Sequence, residues 1–145
     1  MNRLVQCYTN ALNKDCGFSG SILFIRLVIG VAMMLHGFGK IQSPMSWMGP
    51  DAPIPGFFQL LAALSEFGGG LSWILGLLTP IASFGMMCTM LVATLTHMSQ
   101  GHPFVGMPSS YELALVYFAF SWVLLLSGPG KFSLDYLIFK TKTSR

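Results

Sequence analysis

Residues 64–78 read LSEFGGGLSWILGLL, and this stretch decides what surroundings the chain can fold in. It is apolar enough for a lipid bilayer, yet it contains a carboxylate, Glu66, followed after one residue by three consecutive glycines. A charged side chain is costly in hydrocarbon, and glycine lowers helix propensity. Both become tolerable when one helix face turns toward other membrane helices, because glycine permits close packing and the carboxylate finds partners there. The stretch therefore predicts one helix of a membrane bundle.

The composition of the whole chain points the same way. Of its 145 residues, 53% are hydrophobic and only 9% are charged, whereas soluble domains carry about 25% charged residues. A chain of this length has too small a core to hide so much apolar surface. The net charge of +3 is small and the basic residues are not clustered, which argues against nucleic acid as a partner. The lipid bilayer is the expected partner.

Four apolar runs approach the length of about 20 residues that a membrane helix needs. We predict an all-α polytopic membrane protein, a bundle of four transmembrane helices at about residues 19–40, 57–78, 80–98 and 111–127. The second and third spans meet at Thr79-Pro80, so they form a tight hairpin in which proline opens the third helix. Residues 1–18 then form an N-terminal tail, residues 19–127 the transmembrane domain, and residues 128–145 an interfacial segment and C-terminal tail.

Lysine and arginine are unevenly distributed between the two sides of the predicted bundle. The basic residues of the two tails are Arg3, Lys14, Lys131, Lys140, Lys142 and Arg145. The two long linkers on the other side contain no lysine or arginine, although Lys40 borders one of them. Positive residues accumulate on the cytoplasmic side of a membrane. We therefore predict that both termini are cytoplasmic.

The first two spans each present an inward face suited to a bundle interior. On the first span, three ionisable residues lie within about 80° of one another around the helix: Arg26, His36 and Lys40. On the second span, four residues lie within about 60° of one another: Gln59, Glu66, Gly70 and Trp73. Glu66 is expected roughly 12 Å, and His36 about 6 Å, below the outer surface. These depths allow His36 or Lys40 to meet Glu66.

The other two spans bring further ionisable residues to the same outer end. His97 ends the third span and Glu112 opens the fourth, while His102 lies in the linker between them. The candidate polar or ligand site therefore comprises Glu66, His36, Lys40, Glu112, His97, Arg26 and Trp73. A plainer interpretation has His97 and Glu112 solvated at the headgroups, Lys40 extended toward the interface, and Arg26 in a structural ion pair. Glu66 is the hardest to explain away, because a buried carboxylate needs a partner, a proton or a water-filled cavity.

The glycines of the first two spans are typical of close helix packing. Those assigned to packing are Gly37, Gly69, Gly70 and Gly76. They could instead widen a cavity beside Glu66. The three cysteines form no C-x-x-C pair and no Cys/His metal spacing, so no metal site is predicted. Cys88, within an apolar run, is expected to be a small buried side chain.

Three segments of the sequence resemble the DoxX family of small four-span membrane proteins. They are RLVIGVAMMLHGFGK at residues 26–40, EFGGGLSWILG at residues 66–76, and ELAL from residue 112 continuing to SGPGKFSLD at residues 127–135. The likeness extends over residues 18–137. The positions that match the family pattern are Arg26, Gly37, Lys40, Glu66, Gly69, Glu112, Gly128, Gly130 and Asp135. His36 and His97 match no family motif, so any role for them rests on this sequence alone.

The resemblance implies a bacterial inner-membrane location and a redox context, because some relatives look like membrane subunits of redox systems, including a thiosulfate:quinone oxidoreductase. The first hypothesis is an accessory subunit that binds quinone, in which Glu66 with His36 or Glu112 exchanges protons and Trp73 and methionines contact the ring. The sequence carries no flavin or nicotinamide motif, so no self-sufficient active site is evident and electrons would come from a redox partner protein.

Other functions remain open at this point. Haem ligation by His36 and His97 is the less favoured cofactor hypothesis, since two histidines are its only support. Intramembrane charge also marks substrate pathways, so the alternative function is a small-solute transporter, which with four spans would need a homodimer. A non-enzymatic assembly partner in the membrane is the other alternative.

Overall fold

The computed structural model describes residues 15–143, with side chains described for residues 15–139. This part of the chain is helical throughout, apart from its linkers, and the predicted fold class is confirmed. The elements are α1 (Cys16–Gln42), α2 (Gly56–Ala63), a π-helical turn (Leu64–Gly68), α3 (Gly69–Leu75), α4 (Thr79–Ser99), α5 (Glu112–Ser127) and α6 (Leu134–Thr143).

In the described part of the chain, three helical units are long and apolar enough to cross a membrane: α1, the continuous unit Gly56–Leu75, and α4. The fourth, α5, has 16 residues and spans only about 24 Å. Residues 16–18, predicted to belong to the N-terminal tail, form the first turn of α1. Arg3, Lys14 and Arg145, which carry much of the orientation argument, lie outside the described residues.

The helices pack in the order α1, then α2 through α3, then α4, then α5. Their shared core contains Ile22, Ile29, Met33, Trp73, Met86, Met90 and Leu124. Apolar side chains such as Leu35 and Ile81, 72% and 70% exposed, point away from this core. Cys88 is exposed as well, so the expectation that it is buried was wrong: it lies on the outward face of α4.

The second predicted span differs from a single helix over residues 57–78. The chain passes through one π-helical turn at Leu64–Gly68, and α3 ends at Leu75. Gly76 ends that helix at φ +65°, a backbone conformation that glycine adopts without the penalty of a Cβ. Gly76 was predicted to be a packing glycine within the helix; the helix stops before it, but Gly76 does allow a close approach, since a Cβ there would lie 2.5 Å from the Ser133 Cβ and nearer still to the Arg26 guanidinium.

The hairpin between α3 and α4 is held by a carboxylate from much later in the chain. Asp135, fully buried, accepts hydrogen bonds from the backbone N–H of Leu78 at 2.9 Å and of Thr79 at 3.0 Å. Its own backbone N–H donates to the Gly76 carbonyl at 2.9 Å. A carboxylate satisfies the free N–H groups of a helix start and complements its dipole. Asp135 thereby ties the start of α6 to the hairpin.

Gly37 and Gly70, two of the glycines predicted to serve in packing, bring helix backbones into direct contact, whereas Gly69 faces a side chain. A Cβ on Gly70 would lie 2.7 Å from the Gly30 carbonyl oxygen, and one on Gly30 would lie 2.9 Å from the Gly70 oxygen. Gly37 packs in the same way against the backbone of Glu66 and Phe67. Gly69 faces the Met86 side chain, where a Cβ would lie 3.2 Å from Cε. This close crossing brings the end of α1 beside the π-helical turn.

Candidate ligand site

Arg26 lies at the end of the bundle where the described chain begins and ends. Its guanidinium is fully buried and donates to four backbone carbonyls. Nε donates to Trp73 at 2.7 Å and Nη2 to Ile74 at 3.1 Å. Nη1 donates to Pro129 at 2.7 Å and Phe132 at 3.0 Å. Arg26 joins α1 to the end of α3 and to the segment between α5 and α6, and it lies about 21 Å along α1 from Lys40.

Trp73 was predicted to face a ligand, but its side chain is fully buried in the helix core. The indole N–H donates to the Ser83 hydroxyl at 2.9 Å, which joins α3 to α4. A buried tryptophan needs a partner for its one donor, and Ser83 supplies it. Neither Trp73 nor Arg26 lines the cavity described below.

The pair at the opposite end is Lys40 and Glu66. Lys40 Nζ lies 2.6 Å from Glu66 Oε1, with side chains 27% and 4% exposed. The ammonium also lies 4.4 Å from the centroid of the Trp47 ring, a distance at which a cation is attracted to an aromatic face. Lys40 therefore extends inward to the carboxylate, with Trp47 beside it.

Gln59 holds the linker that carries Trp47 over this pair. The Gln59 carbonyl accepts from the Trp47 indole N–H at 3.0 Å, and its side-chain oxygen accepts from the Met48 backbone N–H at 3.1 Å. Its side-chain amide donates to the Ile54 carbonyl at 2.8 Å. One buried side chain thus fixes the linker between α1 and α2.

Glu66 Oε2 is buried and has no hydrogen-bond partner among the described residues. An unsatisfied buried oxygen of this kind is costly, and such groups are uncommon in native proteins. Glu66 is also a wall residue of a cavity of about 190 Å³. A buried acceptor beside open space can bind a donor group of a ligand.

The cavity lies between α1, the π-helical turn, α4 and α5, and the linker before α5 adds one further residue. Its wall is formed by Met33, His36, Lys40, Glu66, Met90, His97, Ser110, Leu113, Ala114 and Tyr117. His36 meets Tyr117 edge to face, with ring centroids 6.0 Å apart. The polar groups are one carboxylate, one ammonium, two imidazoles and two hydroxyls, set in an otherwise apolar wall. Such a mixture is typical of small-molecule sites.

His97 pairs with His102 at the end of α4. Their Nδ1 atoms lie 2.8 Å apart, so one ring donates a hydrogen bond to the other. The His102 backbone N–H also donates to the His97 carbonyl at 3.1 Å. The sequence placed both histidines near the outer end, but their pairing depends on the turn at residues 100–102. His97 lines the cavity, and His102 holds the His97 ring in place from the linker through their hydrogen bond.

Glu112 lies outside the cavity wall. It is exposed at the start of α5, and its backbone N–H donates to the Phe104 carbonyl at 3.1 Å. A carboxylate there complements the positive end of the α5 dipole. The expected meeting of Glu112 with Glu66 is therefore absent.

The donor set and the size of the cavity restrict which group it can hold. Among the described residues no cluster of three or more His, Cys, Asp or Glu side chains could hold a metal ion. A cavity of about 150 Å³ accommodates benzene, so about 190 Å³ suits one substituted six-membered ring. It is too small for the four pyrrole rings of a haem, although His36 and His97 both line it.

Comparison with known proteins places the chain among bacterial membrane proteins. A sequence model of the DoxX family matches residues 21–99. The inner membrane protein YqjF of Escherichia coli is 33% identical over 82% of this chain and 92% of its own length. An uncharacterized protein of Haemophilus influenzae is 31% identical over 82% and 91%, and an uncharacterized membrane protein of Mycobacterium tuberculosis is 30% identical over 86% and 85%. No solved structure matches.

Proposed function

We propose a ligand-binding role for this chain, which belongs to the DoxX family of membrane proteins: it binds the ring of a quinone in the cavity beside Glu66, as an accessory component of a redox system in the inner membrane. The observation that carries the proposal is the buried Glu66, a wall residue of a cavity that suits one ring, whose Oε2 has no hydrogen-bond partner among the described residues.

The chemistry of the wall suits both oxidation states of a quinone. A hydroquinone hydroxyl can donate to Glu66 Oε2, and a quinone carbonyl can accept from the Lys40 ammonium. Met33 and Met90 line the apolar part of the cavity, and thioether sulfur makes favourable contacts with aromatic rings. Each end of the ring thus finds a complementary surface.

Oxidation of a hydroquinone releases two protons and two electrons, and the cavity supplies groups for the protons. Glu66 and His97, both wall residues, are side-chain types that serve as general bases. The two electrons pass to a redox partner protein, since the sequence carries no flavin or nicotinamide motif. This chain contributes binding and proton exchange, and the partner contributes electron transfer.

The test is binding of a tail-less benzoquinone and its hydroquinone to the purified protein in lipid nanodiscs. Binding is measured by quenching of tryptophan fluorescence and by the shift in thermal unfolding. We expect Glu66→Gln to weaken hydroquinone binding at least about tenfold, equivalent to about 1.4 kcal/mol, because the anionic acceptor is lost. The matched control is Glu112→Gln, which removes an exposed carboxylate outside the cavity and should leave affinity unchanged.

Failure of both ring forms to bind the wild-type protein would refute the proposal. Equal affinity in wild type and Glu66→Gln would refute the assignment of Glu66. Transport through a single chain has less support, because the Arg26 end is filled by the guanidinium and its four carbonyl partners.

A further inference from the structure

We infer that the cavity opens sideways into the bilayer between α1 and α5, and that its ligand is an amphiphile whose ring enters the cavity while its hydrocarbon tail stays in this cleft. The inference rests on the proposed function and names the form of the quinone: one dissolved in the membrane with its tail attached. His36 and Tyr117, whose rings are in contact, form the gate of this sideways opening.

The packing of the helices leaves this side less closed than the others. Contacts run from α1 to the π-helical turn and α3, from there to α4, and from α4 to α5, whereas α1 and α5 make few direct contacts. Near the Arg26 end, α1 is joined to the segment that follows α5: the guanidinium donates to the Pro129 and Phe132 carbonyls, and the Lys131 backbone N–H donates to the Ser19 hydroxyl. Toward the Lys40 end, α1 and α5 meet through the ring contact of His36 with Tyr117.

Two cavity residues mark where the opening lies. His36 on α1 and Leu113 on α5 both line the cavity and are also exposed. Glu66 and Met90, on the opposite wall, are buried. A side chain that borders a cavity and also reaches the outer surface lies at its mouth, so the mouth is between α1 and α5. The edge-to-face contact of His36 with Tyr117 crosses this gap.

The linkers restrict access from the end of the bundle. Trp47 covers the Lys40 ammonium and is fixed through Gln59. On the other side the His97 and His102 pair fixes the turn after α4. Both linkers are held by side-chain hydrogen bonds, whereas His36 and Tyr117 touch only as rings. The side facing lipid is thus the easier one to open.

The size of the cavity explains why a tail must remain outside it. About 190 Å³ is room for one ring, so a chain of ten or more carbons must extend through the mouth. The outward surface beside that mouth is apolar, with Leu35 72% and Val116 41% exposed. When the ring enters sideways, the tail stays in contact with lipid and with this surface, which are similarly apolar, so the ligand binds without withdrawing its tail from the bilayer.

The test compares two probes, a tail-less benzoquinone and the same ring with a decyl tail, on two variants of α5. Val116→Trp adds bulk to the cleft at a position that does not line the cavity, and Leu126→Trp adds the same side chain at a position 67% exposed farther along α5. We expect Val116→Trp to weaken the decyl probe at least tenfold while the tail-less ring changes less than threefold. Leu126→Trp should change neither.

Undiminished binding of the decyl probe to Val116→Trp would overturn the cleft. Equal loss of both probes would overturn it too, because the tryptophan would then obstruct the ring and not the tail. These results differ from failure of the proposed function, in which neither probe binds the wild-type protein. Val116 is 41% exposed, so its replacement should leave the fold intact, which thermal unfolding without ligand verifies.

Discussion

Each end of this bundle buries charged side chains, Arg26 and Asp135 at one end and Glu66 at the other, and these charges are satisfied in different ways. Arg26 is enclosed by four carbonyl oxygens. Glu66 has one oxygen on Lys40 and the other without a partner among the described residues. A buried charge with all its partners rigidifies its surroundings, whereas a partly satisfied one retains binding capacity. The Arg26 end is therefore suited to stabilising the fold, and the Glu66 end is suited to binding a ligand.

Helix ends explain why Arg26 is so well satisfied. The last carbonyls of a helix have no partner within it and carry the negative end of the dipole. Because α3 ends at Leu75, the carbonyls of Trp73 and Ile74 face outward from its last turn. A guanidinium offers five donors in a fixed fork, so it can serve this end and the α5–α6 segment together.

The largest effect should come from Arg26→Leu. It removes the guanidinium donor of the Ile74, Pro129 and Phe132 carbonyls, while the Trp73 carbonyl keeps the Gly76 N–H, and each buried acceptor left unsatisfied costs about 1–3 kcal/mol. We expect loss of most folded protein, measured as the yield of monodisperse protein and as its thermal unfolding in detergent. Arg26→Lys should lose less, since it keeps the charge. If Arg26→Leu unfolds at the same temperature as the wild-type protein, other contacts hold the ends of α3 and α5.

A smaller loss is expected where the helices cross between the two ends. Gly70→Ala places a Cβ against the Gly30 carbonyl, and overpacking of this kind costs about 1–3 kcal/mol. Gly68→Ala is the matched control, because no atom lies within 4 Å of its added Cβ. Denaturant unfolding of both variants tests the difference. If Gly70→Ala is as stable as Gly68→Ala, the helices tolerate a wider crossing.

The carboxylate that caps α4 should contribute less again. Asp135→Ala removes the acceptor for the Leu78 and Thr79 N–H groups, and loss of a helix cap costs about 0.5–2 kcal/mol. Asp51→Ala, which removes an exposed carboxylate in the first linker, serves as the control. A fall in the thermal midpoint of Asp135→Ala alone is expected. An equal fall in both variants would attribute the effect to net charge.

The smallest change in stability is expected at the other end, in Glu66→Gln. The amide oxygen can still accept from Lys40, and Oε2 has no hydrogen bond to lose, so we expect less than about 1 kcal/mol. Thermal unfolding without ligand provides the measurement. If Glu66→Gln unfolds as readily as Arg26→Leu, the two ends are alike, and Glu66 is a structural ion pair instead of a ligand site.

The helical fold could be predicted because it depends on local patterns. Gln59, Glu66, Gly70 and Trp73 were expected on one inward face, and all four are buried, although the π-helical turn between Gln59 and Gly70 departs from the regular periodicity that places residues on one face. The position of a residue along a helix likewise placed Lys40 near Glu66. Such inferences need no knowledge of how distant segments meet.

What the sequence did not reveal depends on contacts between distant segments. The carbonyl partners of Arg26 include Pro129 and Phe132, more than 100 residues away, and carbonyls carry no side-chain signal. The linker that lays Trp47 beside Lys40, and the turn that pairs His97 with His102, have no periodicity. Trp73 and Arg26 share the inward face with the cavity residues but lie at other depths, which a helical wheel does not display.

The π-helical turn at Leu64–Gly68 has a consequence for the register of the second helical unit. A turn with i→i+5 hydrogen bonds holds one residue more than an α-helical turn, so it is equivalent to a single-residue insertion in the coding sequence. Deleting one residue there would restore a regular α-helix while Gln59 and Trp73 kept their relative orientation, because the π-helical turn accommodates its additional residue within itself. The change would fall on the residues of the turn, so the placement of Glu66 is encoded in segment length, and a one-residue gap would alter the Glu66 end of the bundle and leave the Arg26 end in place.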